Sequence, residues 1–230
     1  MKIMKIMKIM LSLVMALGIS LVNLTAGFGA EAIKLPAPST KGTVSVEEAL
    51  QNRLSTRKFA NRSLELAQIS QLLWAADGIN NPQGKRTAPS GRAAYPIDLY
   101  LVAGERGVTG LAPGLYHYKV ADHALEPVAQ GEFRPAVAKA CNSQDWITEA
   151  PVILVISGDY KRSEVKNGEK APLSTHIEAG LIAQNIFLQV EALGLGAGIA
   201  GGMNDQALGQ ALKLPQANIP FLVMPVGYKH

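Results

Sequence analysis

In the stretch NRLSTRKF, Arg53, Ser55 and Arg57 put two guanidiniums and a hydroxyl into one short turn. A guanidinium grips a phosphate through two parallel N–H···O bonds, and a serine hydroxyl adds a third donor. The chemistry on offer is anion binding. No glycine-rich loop precedes these residues and no Lys-Ser pair follows them, so the P-loop manner of holding a nucleotide is absent. A solvated basic turn would have the same composition, so the rest of the chain must decide between the two.

Further along, Gly196, Gly198 and Gly201 satisfy G-x-G-x-x-G to the letter. The dinucleotide fingerprint needs a strand before it and a helix opening inside it. Here a helical pattern comes first and an extended one follows, so the order is inverted and that reading is set aside. The glycines instead allow two backbones, or a backbone and a flat ligand, to approach closely. His176 and Glu178 resemble metal ligands singly, yet four scattered histidines and one cysteine complete no ligand spacing. No G-x-S-x-G marks a serine hydrolase. Cys141 has no identifiable histidine partner and reads as a small buried hydrophobe.

The elements that must position these residues follow from periodicity. Ser45 and Glu48 predict a capped helix ending near Asn52, immediately before the basic turn. Leu66, Ile69, Leu72, Leu73 and Ala76 predict a helix stopped by Gly78. Residues 98–104 predict a strand, GLYHYKV and ALEPVA a hairpin, and 132–140 a short helix. The apolar run PVILVISG predicts a buried central strand. Residues 175–193 predict the longest helix, apolar nearly all round and so deeply buried, with the option of a subunit interface. A glycine-rich strand, a helix near 205–213 and a last strand, FLVMPVG, complete the order. Strands interleave with helices around a hairpin, which predicts an α+β domain with a mixed sheet covered by helices.

The 230 residues suffice for one domain with its own core. The formal charge of +4 suggests a basic protein, but Lys2, Lys5 and Lys8 lie in the first thirty residues, which carry no acid. The remainder is close to neutral, so nothing points to nucleic acid. That opening reads as a secretory signal over 1–32: a triplicate basic segment, the apolar LSLVMALGISLV, then small residues with a cleavage site after Ala32. It carries no twin arginine and no cysteine, which favours unfolded export without a lipid anchor. An uncleaved membrane anchor is the alternative, although the apolar stretch is short for a span. Residues 33–44, rich in Pro, Ser, Thr and Gly, read as a linker to the domain at 45–230. A single cysteine rules out an internal disulfide.

Four pieces, in order, carry a resemblance: the basic turn, APSGRAAYPIDLYLV, the long helix ending in Gly-Leu-Gly, and GIAGGMNDQALGQALKLP running on to FLVMPVGY. Together they resemble the nitroreductase family of FMN enzymes over about residues 45–229. The central section, from GLYHYKV to the Gln-x-Trp and Ala-Pro before the next strand, looks closest to the SagB-type dehydrogenase branch. The resemblance implies a three-layer αβα sandwich that forms a homodimer, with FMN in grooves between subunits. It places Arg53 at the phosphate, Ser55 at the phosphate or ribityl chain, and Arg57 near the N1/O2 edge of the flavin. Pro89, Ser90 and Gly91 match the loop that reaches the partner's flavin. Ile199, Gly201 and Gly202 match the segment beside the ring, with backbone N–H groups near N5 and O4.

The implied activity is an FMN-dependent oxidoreductase. It would pass electrons from NAD(P)H or a redox partner to a small, electron-poor organic acceptor. No catalytic acid or base is assigned. Two departures qualify it. Family members commonly extend past the last strand and bring basic residues to the phosphate; here the sequence ends at Lys229-His230, so weaker FMN binding is expected, with Lys229 as the substitute. Azoline-oxidising SagB-type members carry a Lys-Tyr pair near EVKNGEKA, where this chain has Lys166 and then Asn167. Azoline dehydrogenation and a secreted flavin- or ligand-binding protein without turnover stand as the alternatives. Export implies a periplasmic or secreted protein.

Overall fold

The structure, a computed structural model, describes residues 31–230. The signal segment therefore lies outside the described residues, apart from its last two positions. Among the described residues no helix is long and apolar enough to cross a membrane.

Local sequence chemistry accounts for the helix ends. Helix α1 (Val46–Asn52) starts where the Ser45 hydroxyl accepts the Glu48 N–H at 3.0 Å. Helix α2 (Leu66–Asp77) is opened by a reciprocal Glu65–Gln68 box. It stops at Gly78, where a Cβ would collide with Trp74. The long helix, predicted from 175, begins four residues earlier, at Ala171. Pro172 lies in its first turn, where a missing N–H costs nothing.

The sheet has seven strands: β1 (Ile33–Lys34), β2 (Ile97–Ala103), β3 (Gly114–Lys119), β4 (Ala124–Gln130), β5 (Val152–Gly158), β6 (Leu195–Ala197) and β7 (Ile219–Tyr228), in the order β1-β4-β3-β2-β5-β7-β6. The α+β class stands, but the sheet is not mixed, because every neighbouring pair is antiparallel. The reason is topological. Strands β5 and β6 run the same way, joined by a helical crossover as parallel strands must be. Strand β7 then inserts between them in the opposite direction, so no two parallel strands touch.

Alternation along the central strands divides the core into two layers. Leu99 and Leu101 of β2 and Leu154 and Ile156 of β5 pack against α2 and the long helix, through Leu72, Leu73, Ile182 and Ile186. Tyr100, Val102, Ile153 and Val155 point the other way, toward α3 (Arg134–Ala140), α4 (Trp146–Glu149) and, after α5 (Tyr160–Asn167) and the long helix α6 (Ala171–Ala192), toward α7 (Asp205–Ala211). Helices cover both faces, which gives the αβα sandwich.

Three elements escaped the sequence patterns. Helices α4 and α5 are short, and α5 is mostly polar, with only Tyr160 and Val165 to show a period. The supposed linker starts on the sheet: Ile33 and Lys34 pair with Leu125 and Ala124, and Leu35 is buried. The Ser70 hydroxyl donates to the Pro36 carbonyl and holds this arm down.

Helix α6 is not buried all round. Leu173, Ile177 and Leu181 are 62%, 55% and 38% exposed and recur every four residues, forming one stripe. Val46, Leu50 and Leu54, from α1 and the turn after it, are exposed too, and α1 packs beside α6.

Candidate functional site

The basic turn is stitched to the edge of the sheet. Arg53 caps α1, its N–H bonded to the Ala49 carbonyl at 3.0 Å. The chain then runs along β6: Ser55 pairs with Ala197 in parallel fashion, and the Thr56 N–H donates to the Ala197 carbonyl at 2.8 Å. Phe59 pairs with Lys229, and the Ala60 N–H reaches the Tyr228 carbonyl at 2.9 Å. Arg53 is half-buried with its guanidinium 5.4 Å from the Phe187 ring centre. Arg57 is exposed, 5.7 Å from the Trp146 ring centre. Ser55 is exposed. Among the described residues neither guanidinium is paired with a carboxylate. Among the described residues the buried Thr56 hydroxyl has no hydrogen-bond partner.

The four glycines of this region divide into two pairs. A Cβ on Gly196 would strike the Thr56 side chain, and one on Gly198 would strike the Trp146 ring and the Thr56 carbonyl. These two allow the basic turn to lie against the strand. Gly201 and Gly202 are different. Both are exposed, and a Cβ on them would meet Leu222 at 3.6 Å and Asn142 at 3.7 Å, ordinary contact distances. The protein alone does not need glycine at 201 and 202. A flat ring lying against them would.

Main-chain bonding says which way this segment faces. The N–H groups of Gly198 and Ala200 donate to the Pro225 and Val223 carbonyls at 3.0 and 2.8 Å. Alternation turns the N–H groups of Ile199 and Gly201 to the opposite edge, the one on which Ala197 receives Thr56. Among the described residues these two groups have no main-chain acceptor. Ile199 packs its side chain on the core, and Asn142 holds the Gly202 carbonyl at 3.1 Å. Arg53, Ser55, Arg57, Ile199, Gly201 and Gly202 therefore share one sheet edge, with two open donors beyond the basic turn.

Pro89, Ser90 and Gly91 are not brought there within one protomer. The Ser90 hydroxyl accepts the Tyr95 N–H at 2.8 Å, and the Gly91 carbonyl accepts from Asn167 at 3.2 Å. Gly91 faces Ser174, in the first turns of α6, whereas Arg53 faces Phe187, about 20 Å further along that helix at 1.5 Å per residue. The same loop is anchored in the interior by Arg86, which pairs with buried Asp77 and lies 4.3 Å from the Tyr95 ring centre. Burial pushes Asp77 up to about 7 although Arg86 pulls it down, and burial raises Glu178 as well.

One expected ligand is engaged elsewhere. The Lys229 ammonium contacts the Glu191 carboxylate at 2.6 Å, and Glu191 is almost fully buried. Leaving that carboxylate alone would be costly, so Lys229 is not a free phosphate donor. Sequence reasoning missed Thr56, Trp146 and Phe187, which brace the basic turn. None of them carries a type or spacing that marks such a role.

Known proteins share the sequence pattern and the fold. The sequence profile of the Nitroreductase family matches residues 50–228. A candidate nitroreductase of Methanocaldococcus jannaschii is 33% identical over 186 residues, covering 81% of this chain and 92% of that protein. The crystal structure of a candidate nitroreductase from Ralstonia eutropha JMP134 superposes with a TM-score of 0.77 at 31% identity, over 89% of this chain and 92% of the other. A Bacillus subtilis FMN reductase [NAD(P)H] is 27% identical over 115 residues, 44% of this chain and 46% of its own. With the family profile covering most of the sequence and the same fold recovered at 31% identity, this chain belongs to the nitroreductase family.

Proposed function

We propose that this nitroreductase-family oxidoreductase binds FMN on the edge formed by the basic turn and residues 199–202. There it would move electrons from a reduced donor such as NAD(P)H to an electron-poor organic acceptor. The observation that carries the reading is the Thr56–Ala197 bond, which joins an unpaired Arg53–Ser55–Arg57 cluster to an open glycine edge. The residues fit the cofactor. Two free guanidiniums and a hydroxyl suit a phosphate. Two exposed glycines without a packing reason suit a flat ring.

Bound FMN would supply the two-electron chemistry. The chain's own groups would do the rest. Arg53 and Ser55 would hold the phosphate end. Arg57 would place a fixed positive charge by the pyrimidine edge, where it stabilises negative charge. The Ile199 and Gly201 N–H groups would donate to the ring's polar edge. No side chain is assigned as proton donor.

A second copy completes the reading. The exposed Leu173–Ile177–Leu181 stripe and its neighbours on α1 offer an apolar face for a partner. The partner's Pro89–Gly91 loop, about 20 Å from the basic turn within its own chain, would then close the groove. The azoline-oxidising alternative gains no support: the Lys166 ammonium donates to the Ala93 carbonyl at 2.6 Å, and Asn167 braces Gly91. We further propose that the chain is exported, so that FMN joins it outside the cytoplasm and a redox protein can stand in for NAD(P)H.

The test is a visible spectrum of the purified protein, as isolated and after incubation with FMN. A bound-flavin spectrum that NADPH or dithionite bleaches, and that a quinone or nitroarene restores, is the expected result. A protein that takes up no FMN overturns the reading. One that holds FMN but never cycles it is a flavin-binding protein without turnover.

A further inference from the structure

Beyond the glycine edge lies a cleft of about 550 Å³ that shares Gly201 with it. Its wall is an aromatic trio. The Tyr160 hydroxyl and His176 Nε2 are 3.0 Å apart, and their rings meet edge to face at 5.7 Å. Phe221 lies 4.7 Å from the His176 ring and 5.6 Å from the Tyr160 ring. Met203 adds a soft apolar surface. Asp205 stands at the rim, with one carboxylate oxygen accepting the Gln206 N–H at 2.8 Å. Its charge reaches the wall: the Tyr160 hydroxyl is pushed up, first by burial and then by Asp205. None of the described residues lining the cleft is Lys or Arg.

We propose that this cleft seats the acceptor and selects it by charge. It takes planar aromatic molecules that are neutral or cationic, and Asp205 turns anions away. Phe221 and the imidazole of His176 offer faces for stacking. The Tyr160 hydroxyl and His176 Nε2 share one hydrogen bond, which leaves at least one N–H or O–H of the pair for a carbonyl or nitro oxygen. An anionic acceptor, or the phosphate-bearing end of a nicotinamide nucleotide, meets the Asp205 carboxylate and no Lys or Arg among the described residues that line the cleft. This assignment rests on the flavin reading, since it places the acceptor next to the ring held at Gly201.

The experiment uses the FMN-loaded protein and two probes, 1,4-naphthoquinone and its 2-sulfonate, with dissociation constants read by calorimetry in low salt. The neutral quinone should bind about five- to tenfold more tightly, a gap that 0.3 M salt reduces. Asp205→Asn should bring the two probes to within about twofold, and Asp205→Lys should reverse their order. Tyr160→Phe should weaken both probes alike and leave the gap, because it removes a donor and no charge. FMN affinity is read separately by flavin fluorescence. If the wild-type protein binds no FMN, the flavin reading and this one fall together. If FMN binds but the two probes bind equally, or Asp205→Asn keeps the gap, only the cleft assignment falls.

Discussion

The Thr56 N–H donates to the Ala197 carbonyl at 2.8 Å, and this bond lays the basic turn against the glycine-rich edge. Gly196 and Gly198 make the approach possible, because any Cβ there would collide with the turn or with Trp146.

Replacing Arg53 and Arg57 together by Ala removes two charge-assisted bonds of about 1.5–3 kcal/mol each, so FMN affinity should fall by roughly two to four decades. Fluorescence titration measures it. Arg57→Ala alone should leave stability within about 0.5 kcal/mol, because that side chain is exposed. Unchanged affinity in the double variant would refute the phosphate assignment.

The glycine pairs should separate under mutation. Gly196→Ala drives a methyl into Thr56 and should destabilise the fold by about 1–3 kcal/mol in urea titrations. Gly201→Ala has room for its methyl in the protein itself, so its unfolding midpoint should hold while FMN binding drops about tenfold. If Gly201→Ala bound FMN as the wild type does, no ring would lie against that edge.

Ile177→Glu with Leu181→Glu puts two charges on the exposed stripe of α6. Sedimentation should find a dimer in the wild type and a monomer in the variant, with flavin lost on dissociation. A monomeric wild type that retains flavin would count against a shared groove.

Asp77 keeps its proton in the folded chain to about pH 7, against an ordinary value of 3.8. Between those values the unfolded chain has released a proton that the folded chain holds, so this group's contribution to stability falls as pH rises from about 4 to about 7. Glu178, raised by burial, acts in the same direction. His123, lowered by burial, acts in the opposite one, adding stability as pH rises toward 6.5. The wild type minus Asp77→Asn difference isolates Asp77, and it should move against the wild type by about 1–3 kcal/mol between pH 5 and pH 8. A flat difference would show that Asp77 is charged across the range.

Much of this was legible in the sequence because it rests on local chemistry. Ser45 and Gly78 mark helix ends by capping, and PVILVISG marks a strand buried on both faces. The basic turn and the glycine edge could each be named, but their contact is a tertiary fact carried by Thr56, whose type announces nothing. Strand β1 hid in a Pro-rich arm because two residues are too few to show alternation. The antiparallel sheet was hidden because strand order depends on where β7 inserts, which no local pattern encodes. Lys229 looked available until Glu191, distant in sequence, proved to hold it.

Hydrogen–deuterium exchange of the protein with and without FMN is the most direct test of the shared site. Added FMN should slow exchange in two separate segments at once, residues 53–57 and residues 199–202. Protection confined to one of them, or appearing only elsewhere, would contradict it.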